Sequence, residues 1–369
     1  MYDFVIYFLS FVFVIVTLVF VHELGHYFIA KLCGVRVEKF SIGMGKEICS
    51  YNDKSGTKWC LSYIPLGGYV KMFGDANEAS SPDFTKLKKM SASEKKASFH
   101  YKSVWQKLAI VFAGPLSNYL FAIVLFAGIA CFSGVAEVMP VISEVVENSP
   151  AQSAGLLAGD EIIAINGNKI DDFSDMQEFM ALHNSTDSFE VEILRGTQNQ
   201  AMQVTPKMRQ ITDPFGDQHI IPYIGVIASD YSFKTFSYFN SLRYGFKESY
   251  RLSATTLKAL YQMLVGKRSV REIGGPVSIA KYSGKTMQMG PSAVIWFLAV
   301  LSVNLGLMNL LPIPMLDGGH ILFYLIEIIT GKTPKKSIQE YGLRIGFLIL
   351  GSLMIFATIN DLVRVLWGK

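Results

Sequence analysis

Histidine is scarce in this chain: six residues in 369, of which two lie four apart at His22 and His26. Cysteine is scarcer. Cys33, Cys49, Cys60 and Cys131 contain no C-x2-C pair, which argues against a zinc ribbon. The first three fall in one loop, read below as cytoplasmic, where thiols stay reduced, and Cys131 lies in an apolar stretch, where it reads as packing. Charged residues make up only 17% of the chain, against 50% hydrophobic ones, and the mean hydropathy is +0.32. That is too apolar for an average soluble protein and too polar for a bundle of membrane spans alone. The net charge of +4 comes with no arginine-rich run and no aromatic–basic stripe, so nucleic acid is not an expected partner. A membrane protein with soluble insertions fits these limits.

Charge is absent altogether from residues 4–21, FVIYFLSFVFVIVTLVFV. As a helix this stretch is about 27 Å long, close to the roughly 30 Å bilayer core. A signal peptide is the competing reading. The start Met-Tyr-Asp is not basic, however, and no small-x-small cleavage site follows. The run ends in His22-Glu23-Leu24-Gly25-His26. On a helix, residues four apart share a face, so both imidazoles can hold one zinc. Glu23 between them can act as general base on a hydrolytic water. Ionisable groups at this depth cost on the order of 2.5–3.5 kcal/mol each, which calls for a compensating partner, and a metal ion is one.

Three more spans are expected: residues 108–132, a stretch from about 293 that breaks at PIPMLDGG, and residues 343–359. Residues 31–107 hold 14 Lys/Arg against 7 Asp/Glu, and after the second span no basic residue appears until Lys169. The positive-inside rule then places this first loop in the cytoplasm and the N-terminus outside. Within the loop, VRVEKFSIG and TKWCLSYI alternate apolar and polar residues around a turn-rich segment, which predicts a β-hairpin over residues 35–72. An edge strand there could pair with an unwound substrate; a purely structural hairpin is the alternative. Residues 74–102 read as polar and partly flexible.

Residues 134–230 carry 15 Asp/Glu and 4 Lys/Arg, the balance of a solvated domain. Strands are predicted near 140–146, 161–165, 189–194 and 201–205, and helices at 150–156 and 173–183. Here NSPAQSAGLLAGDEIIAINGNKI resembles a PDZ domain of the bacterial protease-associated kind. That resemblance implies a pocket for a chain end or an apolar segment. Residues 236–265 repeat apolar residues at three and four among Arg243, Lys247, Arg251 and Lys258, the pattern of an amphipathic interfacial helix.

A hydrolytic zinc needs a third protein ligand and an open position. Asp317 stands in NLLPIPMLDGG, where two prolines and two glycines break the helix, and it lies at the inner end of its span as His22 does. His320 is the rival ligand, and a helix-capping role is the alternative for Asp317. Asn304 and Asn309 could bind substrate backbone or cross-link helices. Asn118, after Gly114-Pro115, reads as helix packing.

Together, HELGH, AGPLSN, the inserted PDZ-like segment and NLLPIPMLDGG resemble the site-2 protease family, and within it the regulator of sigma-E protease branch. The resemblance covers nearly the whole chain. It implies a zinc intramembrane endopeptidase, with one Zn2+ per chain on His22, His26 and Asp317, Glu23 as the catalytic residue, and Asn309, Pro312 and Pro314 positioning substrate. It also implies a bacterial inner membrane location, with the PDZ-like domain outside the cytoplasm and the metal towards the inner side. The implied substrates are transmembrane segments of single-span proteins in the lipid bilayer, such as anti-sigma factors or signal-peptide remnants. The expected fold is an α-helical polytopic membrane protein of about four transmembrane helices with a membrane-associated β-hairpin and an inserted PDZ-like α+β domain. The expected boundaries are 1–134 for the first two spans and hairpin loop, 135–210 for the PDZ-like domain, 211–291 for a linker with the amphipathic helix, and 292–369 for the last spans. Members of this branch often carry two PDZ domains, and this chain has room for one. A metal transporter or an inactive membrane scaffold are the competing classes.

Overall fold

The structure is a computed structural model. It describes residues 2–76, 83–170, 172–183, 186–212, 218–228, 232–332 and 335–367. The chain forms two compact units. The first comprises Met1–Phe126, Gly245–Ser253 and Gly274–Leu362; the second comprises Ala127–Tyr244, Ala254–Ile273 and Val363–Lys369.

Among the described residues, four helices are long and apolar enough to cross a membrane. They are α1 (Tyr2–Leu32), α4 (Val104–Gly128, extended by a π turn over Ile129–Ser133), α9 (Pro291–Leu310) and α11 (Lys336–Trp367). The first agrees with the expected span of Phe4 to about Ala30, and the last overruns the expected 343–359 because the helix continues through the polar residues flanking the apolar run. Between α1 and α4 lie two long paired strands, β1 (Val37–Asn52) and β2 (Lys58–Met72). Ser41 has both Cys60 and Tyr69 as cross-strand partners, so residues 39–42 lie between two stretches of β2. The stretch 68–72 therefore has a ladder partner on one side only among the described residues. Asp53 locks the hairpin turn, accepting from the Ser55 and Thr57 N–H groups at 2.8 and 2.9 Å and from Trp59 Nε1 at 3.0 Å. Tyr27 of α1 donates to the same carboxylate at 3.3 Å, tying the turn to the helix that carries the two histidines. Val37, Phe40, Val70 and Met72 share a core with Ala30 of α1 and Ile110 and Val111 of α4.

Residues 74–102, expected to be polar and partly flexible, hold short ordered elements in their described part; residues 77–82 lie outside the described residues. Two short helices form, α2 (Phe84–Lys88) and α3 (Ala92–Ala97), the latter with a capping box between Ser91 and Glu94. Phe73, Leu87 and Met90 bury a small core of their own beneath them.

Later in the first unit, α8 (Pro276–Met289) packs on α1, with Gly284 seated against the Tyr7 ring. Its N-terminus is held by Asp361 of α11, a buried carboxylate that accepts from the Gly275 and Ser278 N–H groups at 3.1 and 2.8 Å. α10 (Asp317–Thr330) follows the PIPM turn. At 14 residues it is about 21 Å long, too short to cross a roughly 30 Å hydrocarbon core.

The second unit holds β3 (Val135–Glu137), β4 (Ile142–Val145), α5 (Pro150–Ser153), β5 (Glu161–Ile165), β6 (Asn168–Lys169) and α6 (Phe173–His183), then β7 (Phe189–Arg195) and β8 (Gln198–Val204). After these come β9 (Lys207–Thr212), β10 (Gln218–Tyr223), β11 (Val226–Ala228) and β12 (Ser232–Lys234). One antiparallel sheet runs β6-β5-β7-β8. Alternation along β7 puts Phe189, Val191 and Ile193 into a core with Ile162, Ile165, Met176 and Met180. Beyond residue 210, β11 pairs with β4 and β12 with β3. The amphipathic helix is α7 (Tyr238–Leu264), and Phe239, Leu242, Phe246, Tyr250, Tyr261 and Leu264 on it are exposed.

Candidate metal centre

His22 and His26 lie one turn apart on α1, and Asp317 opens α10. Three ligand atoms meet. His22 Nε2 is 3.1 Å from Asp317 Oδ2, His26 Nε2 is 3.5 Å from the same oxygen, and the two nitrogens are 3.2 Å apart. A tetrahedral ion with bonds of about 2.0–2.1 Å has ligand–ligand edges of about 3.3 Å. The triangle matches one face of that tetrahedron and leaves the fourth corner open. Asp317 Oδ2 is buried and makes no hydrogen bond despite its two nitrogen neighbours, and the two imidazole nitrogens lie within hydrogen-bond distance of each other, so the three atoms converge on one point. Two imidazoles and one carboxylate are a donor set that suits zinc. The residues fit the ion.

Neighbouring helices shape this space. A Cβ on Gly114 of α4 would fall on the His26 ring and within 2.9 Å of His22 Cε1. On Gly25, a Cβ would fall on the Ala113 carbonyl and come within 2.6 Å of Ser117 Oγ. Glycine on both helices lets α1 and α4 approach closely enough for the imidazoles to lie in the crossing. The Ser117 hydroxyl donates to the Val21 carbonyl at 2.8 Å, pinning the crossing just before His22. His26 Nδ1 donates to the Ile110 carbonyl at 2.8 Å, which sets its tautomer and turns Nε2 to the shared space. Nearby Pro115 lacks the N–H that would bond the Val111 carbonyl, which weakens α4 at this level.

Glu23 is 8% exposed and lines the same cavity of about 920 Å3 as His22, His26 and Asp317. Gly68 of the 68–72 stretch lies directly over it, where a Cβ would come within 3.1 Å of Glu23 Cγ. Asn309 lines the cavity too. Pro312 and Pro314 are not among its lining residues; Pro314 instead rests against Gly342 and Gly346 of α11. His320 lines the cavity but stays outside the converging triad. A capping role does not account for Asp317, since the N-cap of α10 is Leu316 and no side chain caps it. The PIPM turn reaches Asp317 through Met315 at φ 94°, a left-handed backbone costing on the order of 1–3 kcal/mol for a non-glycine residue.

Sequence reasoning missed Gly25, Gly114 and the Ile110 carbonyl. The two glycines were visible inside the HELGH and AGPLSN segments, but a carbonyl leaves no side-chain signature. Asn118, expected to serve packing, also touches the site: its side-chain amide lies 3.1 Å from His22 Nδ1.

Two histidines four apart on one apolar helix, a carboxylate from a second and a glutamate in the same cavity define a membrane-embedded metallopeptidase. The sequence profile of peptidase family M50 matches residues 10–353, and the chain belongs to that family, as a zinc metalloprotease of the site-2 type. It is 42% identical over 357 residues to "Putative zinc metalloprotease RC0203" of Rickettsia conorii, covering 96% of this chain and 98% of that protein. "Putative zinc metalloprotease Atu1380" of Agrobacterium fabrum is 39% identical over 360 residues, covering 96% and 95%. Metalloprotease MmpA of Caulobacter vibrioides is 34% identical over 388 residues, covering 99% and 97%. Among solved structures, the PDZ domain of an SdrC-like protein from Listeria monocytogenes matches 26% of this chain and 90% of its own, at 21% identity and a TM-score of 0.21.

Proposed function

We propose that this metalloprotease is an intramembrane endopeptidase that cuts transmembrane segments of single-span proteins, using one zinc held by His22, His26 and Asp317. The observation that carries this reading is the convergence of those three ligand atoms from two helices of an integral membrane protein, with Glu23 in the same cavity. Zinc, when bound there, supplies a Lewis acid that activates water and polarises the scissile carbonyl. Glu23 takes the proton of the attacking water and delivers it to the leaving amine. Asn309 binds substrate backbone at the cavity wall, and Pro312 and Pro314 shape the turn that presents Asp317.

A transmembrane substrate has its peptide groups paired within its own helix and must unwind before attack. The 68–72 stretch, which has a ladder partner on one side among the described residues and lies beside Glu23, offers a strand to pair with, which compensates the lost helical bonds. The cytoplasmic bias of basic residues supports an inner-membrane orientation with residues 31–107 inside, the PDZ-like region outside and water entering from the cytoplasm. Anti-sigma factors and signal-peptide remnants are substrates of the right build.

Incubating the purified protein with a clipped single-span substrate, with and without a chelator, tests this. Chelator-sensitive cleavage within the span is the expected result. Metal movement into vesicles without cleavage would make the protein a transporter, and neither activity in a zinc-loaded protein would make it a scaffold.

A further inference from the structure

We propose that Asn118 fixes the tautomer of His22 through its side-chain carbonyl, which makes it a positioning residue for the metal centre. This rests on the metal-centre reading above and extends it to a residue on the second span.

A ring nitrogen that lends its lone pair to a metal carries no hydrogen, so the other nitrogen must carry it and needs an acceptor. His26 meets the requirement with a carbonyl, which can only accept. His22 faces an amide, which can do either. As placed, the Asn118 amide nitrogen lies 3.1 Å from His22 Nδ1, while Asn118 Oδ1 is buried with no hydrogen-bond partner. In that orientation the amide donates to Nδ1, and the His22 proton is forced onto Nε2, the atom that faces Asp317 and His26.

Amide oxygen and nitrogen occupy nearly the same volume, and their assignment follows from the hydrogen-bond network. Turning the amide by half a rotation puts Oδ1 against Nδ1, ready to accept its hydrogen. The orientation as placed leaves Oδ1 unpaired, so it gains nothing there from packing, and the direction of the His22 contact chooses between the two. His22 Nε2 is the atom that faces Asp317 Oδ2 at 3.1 Å and His26 Nε2 at 3.2 Å. To serve as a metal ligand beside them it must carry no hydrogen, so Nδ1 carries it and needs Oδ1 as its acceptor. Asn118 is itself fully buried, and its backbone carbonyl accepts the Ser302 hydroxyl of α9 at 2.9 Å, so its position is set by a third span.

An acceptor at 118 is what the site requires, and a carboxylate meets that need as an amide does. Zinc affinity is read by chelator competition in detergent for wild type, Asn118→Asp, Asn118→Leu and His26→Ala. Asn118→Leu should bind zinc about 10–100-fold more weakly, the usual cost of losing such a partner, whereas Asn118→Asp should stay within about threefold of wild type or bind more tightly. Wild-type affinity in Asn118→Leu, or an equal loss in both variants, overturns the proposal. Nitrogen NMR of zinc-loaded wild type with labelled histidine needs no variant to fold: His22 protonated on Nδ1 supports the proposal, and protonation on Nε2 overturns it. His26→Ala separates the two levels of inference. If it keeps zinc, the metal-centre reading itself fails. If it loses zinc while Asn118→Leu does not, only the role of Asn118 fails.

Discussion

Gly114 of α4 lies so close to His26 of α1 that any side chain on it would occupy the imidazole's place. The contact joins two motifs that lie far apart in the chain. Gly114→Ala should displace the His26 ring and lower zinc affinity by about 100-fold, on the scale of a 1 Å misplacement in a preorganised site. Gly128→Ala, in the same helix with open space around it, should bind zinc as wild type does. Equal zinc content in the two purified variants would refute the proposed crossing geometry.

Glu23 is the second test of the site, because its role separates chemistry from metal binding. Glu23→Gln should retain zinc and lose about 10²–10⁴-fold in the cleavage rate, the usual contribution of a positioned base. A Cβ on Gly68 meets the Ser41 carbonyl and Val19 at 2.7 Å and Glu23 Cγ at 3.1 Å, so Gly68→Ala shifts Glu23 together with the strand beside it and touches none of the proposed ligands. It should lower kcat with zinc content unchanged. Cleavage of a single-span substrate by Glu23→Gln at the normal rate would remove the assigned base.

What the sequence revealed and concealed follows from chemistry. Metal binding demands particular side chains at particular intervals, so His22, His26 and Asp317 stood out before any fold was known. The four spans stood out because hydrocarbon imposes both length and composition. Gly25 and Gly114 were in plain view yet read as ordinary span residues, since close approach is a property of two helices and not of either. Met315 gave no warning of its positive φ, because methionine has no preference for that conformation. Ser91 and Glu94 were a readable capping box, and the polar reading of the segment around them fits a short helix that buries none of its residues.

Asp160 in the second unit sets an acid limit for that unit. It is 1% exposed and receives Arg195 through two contacts of 2.7 Å, with the Leu157 N–H at 2.8 Å. Burial alone would raise its carboxyl; Arg195 and the backbone donor outweigh burial and hold it below the usual 3.8. A depressed carboxylate adds stability that is complete above its unfolded value and disappears as pH falls through the folded one. Hydrogen exchange across residues 135–234 in the full chain, corrected for intrinsic rates, should therefore show protection falling below pH 4. Asp160→Asn should lose about 2 kcal/mol at neutral pH, typical of hydrogen bonds to a charged group, and flatten the acid limb. An unchanged acid limb in that variant would assign the pH dependence to other groups.

Gly346 supplies the last prediction, because α11 carries none of the proposed ligands and still supports the turn that bears one. The Pro314 carbonyl sits where a Cβ on Gly346 would be, and Met315 lies 3.4 Å from the same point. The turn that carries Asp317 to the histidines thus rests on the last span. Gly346→Ala should lift that turn and move the carboxylate out of the triangle, weakening zinc binding by about tenfold and cleavage at least as much. Gly351→Ala, further along the same helix with nothing within 4 Å, should do neither. If Gly346→Ala keeps wild-type zinc affinity while its cleavage falls, then α11 acts on substrate and not on the ligand-bearing turn.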